Sequence, residues 1–432
     1  MTPSARIQAV IDLLDLAAKS AVPLDALVSD YTRNRRYIGS KDRREISNRL
    51  YRMVRADFRL GWWLDVVDAR PGTRLRMIFW LMLGEGQTLA EVEALFDGGK
   101  YGPAPWQEEE RRAARRLPEV SEGSLESADM PLAVQVECPP LYRAALEAWF
   151  GEAFAAEMRA LLEPGTLDLR VNVALSDRET VRASLEKEDV LTDETPYSPW
   201  GLRVRSKAQL SQTQAFANGW VEVQDEGSQL IILACDVTPG MTVLDFCAGA
   251  GGKTLGLAAA MQGRGRLVAA DTDPRRLEKA RPRLAKAGLQ NLVELRGIGD
   301  EAGRRWLERQ CGVFDVTLVD APCTGTGTWR RNPDQRWRPS GPSLRELVKI
   351  QSGVLDRAAA TVKPGGHLVY ATCSLLPAEN EEQITAFLDR HPEFQLRPLA
   401  GRFDPLTCDG MLRLSPARHH TDGFFCAVLE RP

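Results

Sequence analysis

Along residues 5–80 the apolar positions recur at intervals of three and four, as in Val10, Leu13, Leu14 and Ala17, and strand-like alternation is absent. The pattern predicts a helical N-terminal region. Within "YTRNRRYIGSKDRREISNRLYRMVRADFRL" Ser40 is the predicted N-cap, and Arg52, Arg55 and Arg59 share one helical face. Such a face either meets phosphates or is an ordinary solvated helix surface. From Gly98 to Pro131 the chain turns polar, with "GGKYGPAP" and "EEERRAARR", which predicts a connection with one short helix.

Beyond it the period changes. "LDLRVNVAL" and "GLRVRS" read as strands around a helical "RETVRASLEKE", a small α/β unit. From about Gln224 short runs rich in Val and Leu alternate regularly with helices: "MTVLDFC", "GRLVAAD", "LVELRG", "FDVTLVDAP" and "GHLVYATCS". Strands of this kind, separated by helices such as "PRRLEKARPRLAKAG", predict a mostly parallel sheet covered on both faces. Ligands of such sheets bind beyond the carboxyl ends of the strands. The predicted organisation is an all-helical region with its linker over 1–130, a small α/β subdomain over 131–225 and an α/β domain over 226–432.

Composition narrows the class. The 432 residues, 44% hydrophobic and 27% charged, suit a soluble chain of two or three domains. The longest apolar run, Met77 to Leu83, is too short for a membrane span, and the N-terminus lacks a secretory layout, so a cytoplasmic, membrane-free protein is expected. Eight cysteines without paired short spacing predict reduced thiols and no metal site. A net charge of -3 leaves any nucleic-acid contact to local basic patches, and four histidines give little support to histidine-based catalysis. Nothing argues for obligate association, so a monomer is expected.

The candidate chemistry begins at "DFCAGAGGKT", residues 245–254. A Walker loop requires glycine where Cys247 stands, and a dinucleotide fingerprint requires Gly or Ala where Thr254 stands. What remains is a strand, a glycine turn that lets backbone approach a ligand, and a helix opening near Lys253. The next strand ends at Asp271, an acid spaced to hold a ribose hydroxyl pair. By itself this pattern fits S-adenosylmethionine and other nucleoside ligands alike.

Two cysteines lie at two strand ends: Cys323 in "VDAPCTGTG", with Asp320 just before it, and Cys373 in "VYATCS". Most cysteines are small buried hydrophobes, but these two stand in turns among small polar residues. A thiolate adding to carbon 6 of cytosine makes carbon 5 enamine-like and able to accept a methyl group. Restoring aromaticity then requires loss of the carbon 5 proton and expulsion of the thiol, where a second cysteine or a carboxylate helps. In "WRRNPDQRWR" Trp329 and Trp337 interleave with arginines, a composition suited to RNA.

With "DAPCTGTGTWRRNPD" and "YATCSLLPAENEE", "DFCAGAGGKT" resembles, in order and spacing, the signature motifs of the Nol/Nop/Sun (RsmB-type) RNA cytosine-5 methyltransferases. "VQDEGSQL" and "DGFF" extend the resemblance to residues 165–432, and the N-terminal helices resemble the NusB-like domain of these enzymes. The resemblance implies a Rossmann-like class I methyltransferase domain preceded by an all-α RNA-docking domain, with S-adenosylmethionine as cofactor and RNA, most of all ribosomal, as partner. It implies Cys373 as nucleophile, Cys323 in product release, Asp320 near methyl donor and base, and Asp271 on the ribose. The turn Cys247, Ala248, Gly249, Ala250, Gly251, Gly252 and Lys253 would surround the cofactor. Gly249 and Ala250 replace the family's usual Ala-Pro, and Asp300 comes too late to be assigned to the adenine. A non-catalytic ribosome assembly factor and a transfer-RNA cytosine-5 methyltransferase are the alternatives.

Overall fold

The computed structural model describes residues 1–206, 208–338 and 341–432. They form two compact units: Met1–Glu163 with Trp329–Gly341, and Pro164–Thr328 with Pro342–Pro432.

The first unit is all helical. Its longer helices are Pro3–Lys19, Leu24–Arg33, Ser40–Val54, Asp57–Val66, Glu108–Ser121 and Pro140–Phe150. Ile7, Val10, Leu13 and Ala17 of the first helix bury one stripe against Ile46, Leu50 and Met53 of another, the packing that the three-four spacing demands. Two details differ from the sequence expectation. Gly39 is the N-cap and Ser40 the first helical residue. The polar stretch 98–131 holds a helix of 14 residues, opened by a capping box of Gln107 and Glu110, with Pro118 near its end. Its buried stripe, Ala113, Ala114 and Leu117, is narrow, which hides its period among arginines and glutamates. Helices continue past residue 130, through Phe154–Ala160.

The second unit carries two sheets. The smaller is antiparallel and four-stranded, from β1 (Asp168–Val171), β2 (Thr192–Glu194), β3 (Gly201–Val204) and β4 (Val221–Val223), in the order β2-β3-β1-β4. The larger is built on β5 (Thr242–Asp245), β6 (Arg266–Asp271), β7 (Val293–Gly297), β8 (Phe314–Asp320) and β9 (Val362–Thr372). These five are parallel, in the order β9-β8-β5-β6-β7. An antiparallel edge, β10 (Gln395–Leu396), β11 (Thr407–Cys408), β12 (Met411–Leu414) and β13 (Phe424–Glu430), is joined through β13 to β9. Apolar side chains line both faces of the parallel strands, as the unbroken Val and Leu runs require.

Because β5 pairs β6 on one side and β8 on the other, the strand order reverses at β5. That is the switch point at which an open α/β sheet forms its crevice. The glycine turn follows β5, the Asp320–Cys323 segment follows β8, and Cys373 follows β9. An all-α domain thus precedes a Rossmann-like, class I methyltransferase fold.

Candidate active site

The turn after β5 is shaped by two glycines in the left-handed region, Gly249 at φ 56° and Gly251 at φ 77°. A Cβ on Gly251 would lie 2.7 Å from the Ala280 Cβ, so that position admits no side chain. Asp271, buried at the end of β6, accepts the Gly249 N–H at 2.8 Å through Oδ2 and the Asp273 N–H at 2.9 Å through Oδ1. Arg276 pairs with it at 3.2 Å. Oδ2 is thereby used twice, by Gly249 and Arg276, whereas Oδ1 keeps a further lone-pair direction for another donor. From outside, Arg283 donates to the Ala250 carbonyl at 2.6 Å, and buried Arg170 donates to that of Gly252 at 2.9 Å. The turn is therefore tied down on both sides.

Adjacent strands β8 and β9 deliver the two cysteines side by side, with Cys323 Sγ 3.4 Å from Cys373 Sγ. The hydrogen bond to Cys373, then burial, then the nearby Cys373 and Glu379 charges push the Cys323 pKa well up, so this sulfur keeps its proton. Between the two turns lies the buried carboxylate of Glu379. Its Oε1 accepts from the Thr324 N–H and from Gln351 Nε2, both at 2.9 Å. Its Oε2 accepts from Thr324 Oγ1 at 2.5 Å and from Ser374 Oγ. One carboxylate so fixes the residue after each cysteine. Gln351 also donates to the Pro322 carbonyl at 2.9 Å, and Thr326 Oγ1 accepts from the Leu375 N–H at 2.8 Å.

Lys253 reaches across from the helix Gly252–Ala260 to Asp320, with Nζ 2.7 Å from Oδ2. Burial alone pulls the Lys253 pKa down, but the charge and hydrogen bond of Asp320, then Cys373 and Asp245, reverse this and raise it. Lys253 stays charged beside the cysteines. Asp245 at the end of β5 is fully buried, and burial raises its pKa to about 7, against a Thr254 hydroxyl bond at 2.6 Å.

A family model described as "16S rRNA methyltransferase RsmB/F" matches residues 232–430. The chain is 30% identical over 420 residues to ribosomal RNA small subunit methyltransferase B of Yersinia pseudotuberculosis, covering 94% of each. It is 34% identical over 327 residues to the probable ribosomal RNA small subunit methyltransferase B of Synechocystis, covering 74% of this chain and 72% of that protein. The crystal structure of PH0851 superposes with a TM-score of 0.78 at 26% identity, over 100% of this chain and 99% of that one. The chain belongs to the RsmB/F family. It is an S-adenosylmethionine-dependent enzyme that methylates carbon 5 of cytosine in RNA.

The residues of this RsmB/F protein fit that cofactor. Asp245, Asp271 and Asp320 end β5, β6 and β8 around the glycine turn, with Arg276 paired to Asp271 and Lys253 to Asp320, a set of acceptors suited to the hydroxyls and the ammonium of that molecule. Among the described residues Asp245 Oδ1 is buried with no hydrogen-bond partner, an acceptor left for a further donor.

Other sequence candidates stand elsewhere. Arg52, Arg55 and Arg59 do not share one helical face, since Ser40–Val54 ends at its C-cap Arg55 and Arg59 belongs to Asp57–Val66. All three are used within the helical unit, Arg52 over the Trp80 ring, Arg55 donating to the Arg330 carbonyl at 2.8 Å and Arg59 pairing with buried Glu137 at 3.0 Å. "WRRNPDQRWR" packs in that unit too. Trp329 is fully buried beside Tyr142, and Arg336 is buried with Nη1 on the Val136 and Glu137 carbonyls. Composition had suggested RNA; here these side chains hold helices. Asp300 is the N-cap of Glu301–Glu308, accepting from the Gly303 N–H at 2.7 Å. Glu379 and Gln351 escaped the sequence reading, although Glu379 lies in the quoted "ENEE" segment. An unpaired acid so close to a nucleophile was the available signal.

The two outlying motifs serve as supports. The Asp225 carboxylate accepts the Asp422 N–H at 3.2 Å, joining "VQDEGSQL" to "DGFF". Gly423 donates to the Gly327 carbonyl at 2.8 Å, where the chains cross so closely that a Gly327 Cβ would lie 2.1 Å from the Gly423 oxygen. Among the described residues no helix is long and apolar enough to cross a membrane, and no cluster of three His, Cys, Asp or Glu is arranged for a metal.

Proposed function

We propose that the protein methylates a cytosine of small-subunit ribosomal RNA, with Cys373 as nucleophile and Cys323 serving product release. The 3.4 Å approach of the two sulfurs at neighbouring strand ends carries this reading. The names of the relatives support the choice of RNA.

S-adenosylmethionine, when bound, supplies the methyl group as an electrophilic carbon on sulfur. Asp271 and the Cys247–Lys253 turn would hold it, with Asp245 as a further acceptor. The electron pair of the Cys373 sulfur forms the bond to carbon 6 of the cytosine, and the former π pair becomes the nucleophile at carbon 5. Asp320, anchored by Lys253, is placed to orient the base. On release the carbon 5 proton leaves to a base, its pair restores the double bond, and the pair of the S–C6 bond returns to Cys373. The Cys323 S–H then steadies the departing sulfur. The target must be unstacked for a sulfur to reach its ring face.

Bisulfite mapping of cellular RNA with and without the protein tests this. One small-subunit cytosine should lose its protection when the gene is removed, and wild-type protein but not Cys373→Ala should restore it. Sole loss in transfer RNA, or restoration by Cys373→Ala, would overturn the corresponding part.

A further inference from the structure

The helical unit carries a second feature that methyl transfer does not use. A cleft of about 700 Å³ is lined by Asp12, Tyr31, Arg35, Tyr37, Lys100 and Tyr101, among others. Tyr37 and Tyr101 are 63% and 62% exposed, and no other Phe, Trp or Tyr among the described residues stands so open. Their centroids are 6.4 Å apart with planes at 36°. Two ring-to-base contacts need roughly 7 Å, so a base enters once the rings part by under an ångström and turn parallel.

Cations accompany the rings. The Arg35 guanidinium lies 3.7 Å from the Tyr31 centroid, and Lys100 Nζ lies 5.2 Å from that of Tyr101. Along the same stretch of chain as Tyr37, the side chains of Arg36, Lys41, Arg43 and Arg44 are exposed and make no ion pair or hydrogen bond among the described residues. The acid on the wall, Asp12, has both oxygens occupied, by Gln8 at 2.6 Å and the Tyr31 hydroxyl at 2.7 Å. Open aromatic faces beside unpaired cations suit a nucleobase joined to phosphates, and the aliphatic part of the wall is only Met1, Ala5 and Ala9, little for an apolar protein segment to bury against.

We propose that this cleft is an accessory RNA subsite taking an unpaired nucleotide, its base stacked on Tyr37 and Tyr101 and its phosphates met by Arg35, Lys100 and the basic stretch Arg36–Arg44. It rests on the reading of RNA as substrate and adds a contact outside the catalytic sheet. The arginines that the sequence suggested for RNA are engaged inside the unit, while these are not.

The test uses the full chain and a fluorescein-labelled oligouridylate of twelve nucleotides, read by anisotropy, beside a fully paired RNA duplex. Tyr37→Ala with Tyr101→Ala should weaken single-strand binding about 5- to 20-fold and leave duplex binding within about twofold. The Phe pair should bind nearly as wild type, which separates stacking from folding. Lys100→Gln should shrink the salt slope by about 0.7. In methylation of small-subunit RNA, the Ala pair should raise KM with kcat unchanged. Wild-type oligonucleotide affinity and KM in the Ala pair overturn the subsite, as does unchanged RNA affinity with loss of a protein partner. Absence of methyl transfer by the wild-type chain would instead overturn the substrate reading, and the oligonucleotide arm still judges the cleft.

Discussion

At the scale of single residues, Glu379 separates geometry from charge. Alanine there removes an acceptor for four donors and frees both cysteine turns. Glu379→Ala should therefore lower kcat by about a hundredfold or more, as misplaced reacting groups do. Glutamine preserves the shape but removes a charge that helps keep Cys323 protonated. Glu379→Gln should fold normally, form the covalent RNA adduct and shift the pH profile of its breakdown towards acid; wild-type adduct lifetimes at every pH would refute the assignment. Asp245 gives a second titration test. Its folded pKa of about 7 lies above the ordinary carboxyl value, so its favourable contribution is complete at acid pH and is lost as pH rises through 7. Against Asp245→Asn, wild-type stability should fall between pH 4 and 8, by up to about 4 kcal/mol at 1.36 kcal/mol per unit. Denaturant midpoints that run parallel over this range would rule it out.

At the scale of elements, what the sequence disclosed follows the range of the interactions involved. The five parallel strands were legible because burial on both faces forces continuous apolar runs, and their carboxyl ends located Cys323, Cys373 and Asp271. The edge strands β10 to β12, two to four residues long, are too short to show a period. The segment after Cys323 was misleading for a physical reason: Trp and Arg serve equally for RNA contact and for packing against carbonyl-rich helix ends. Arg336 decides between them. Its guanidinium is desolvated, with the pKa pulled down to about 10 by burial, and it holds two backbone carbonyls. Arg336→Ala should destabilise the helical unit by about 1–2 kcal/mol, since the two carbonyls it leaves unpaired outweigh the relief of its own buried, unbonded Nε and Nη2, with RNA salt dependence unchanged. A shallower salt slope at wild-type stability would restore the RNA role.

At the scale of the whole molecule, the chain order and the packing order disagree, because Trp329–Gly341 belongs with Met1–Glu163 although 165 residues of the other unit intervene. No local period can announce such a return, since its partners lie hundreds of positions away. Its contribution is nevertheless visible in detail. Arg338 donates to the carbonyls of Ala17, in the last turn of the first helix, and of Ser20 and Val22 just beyond it, and so ties down the chain where that helix ends. Trp329 fills a fully buried site against Tyr142. The fragment 1–163 made alone lacks both, and deleting one buried tryptophan typically costs about 3–5 kcal/mol, a large share of a small domain's stability. It should therefore melt well below the helical transition of the full chain, or fail to fold cooperatively. A synthetic peptide spanning residues 325–342, added in excess, should raise its melting temperature with increasing concentration, as any ligand of the native state does. The same peptide with Trp329 and Arg338 replaced by alanine should not. A fragment as stable as the helical unit of the intact protein, and indifferent to the peptide, would show that the returning segment is an ornament on a bundle complete without it.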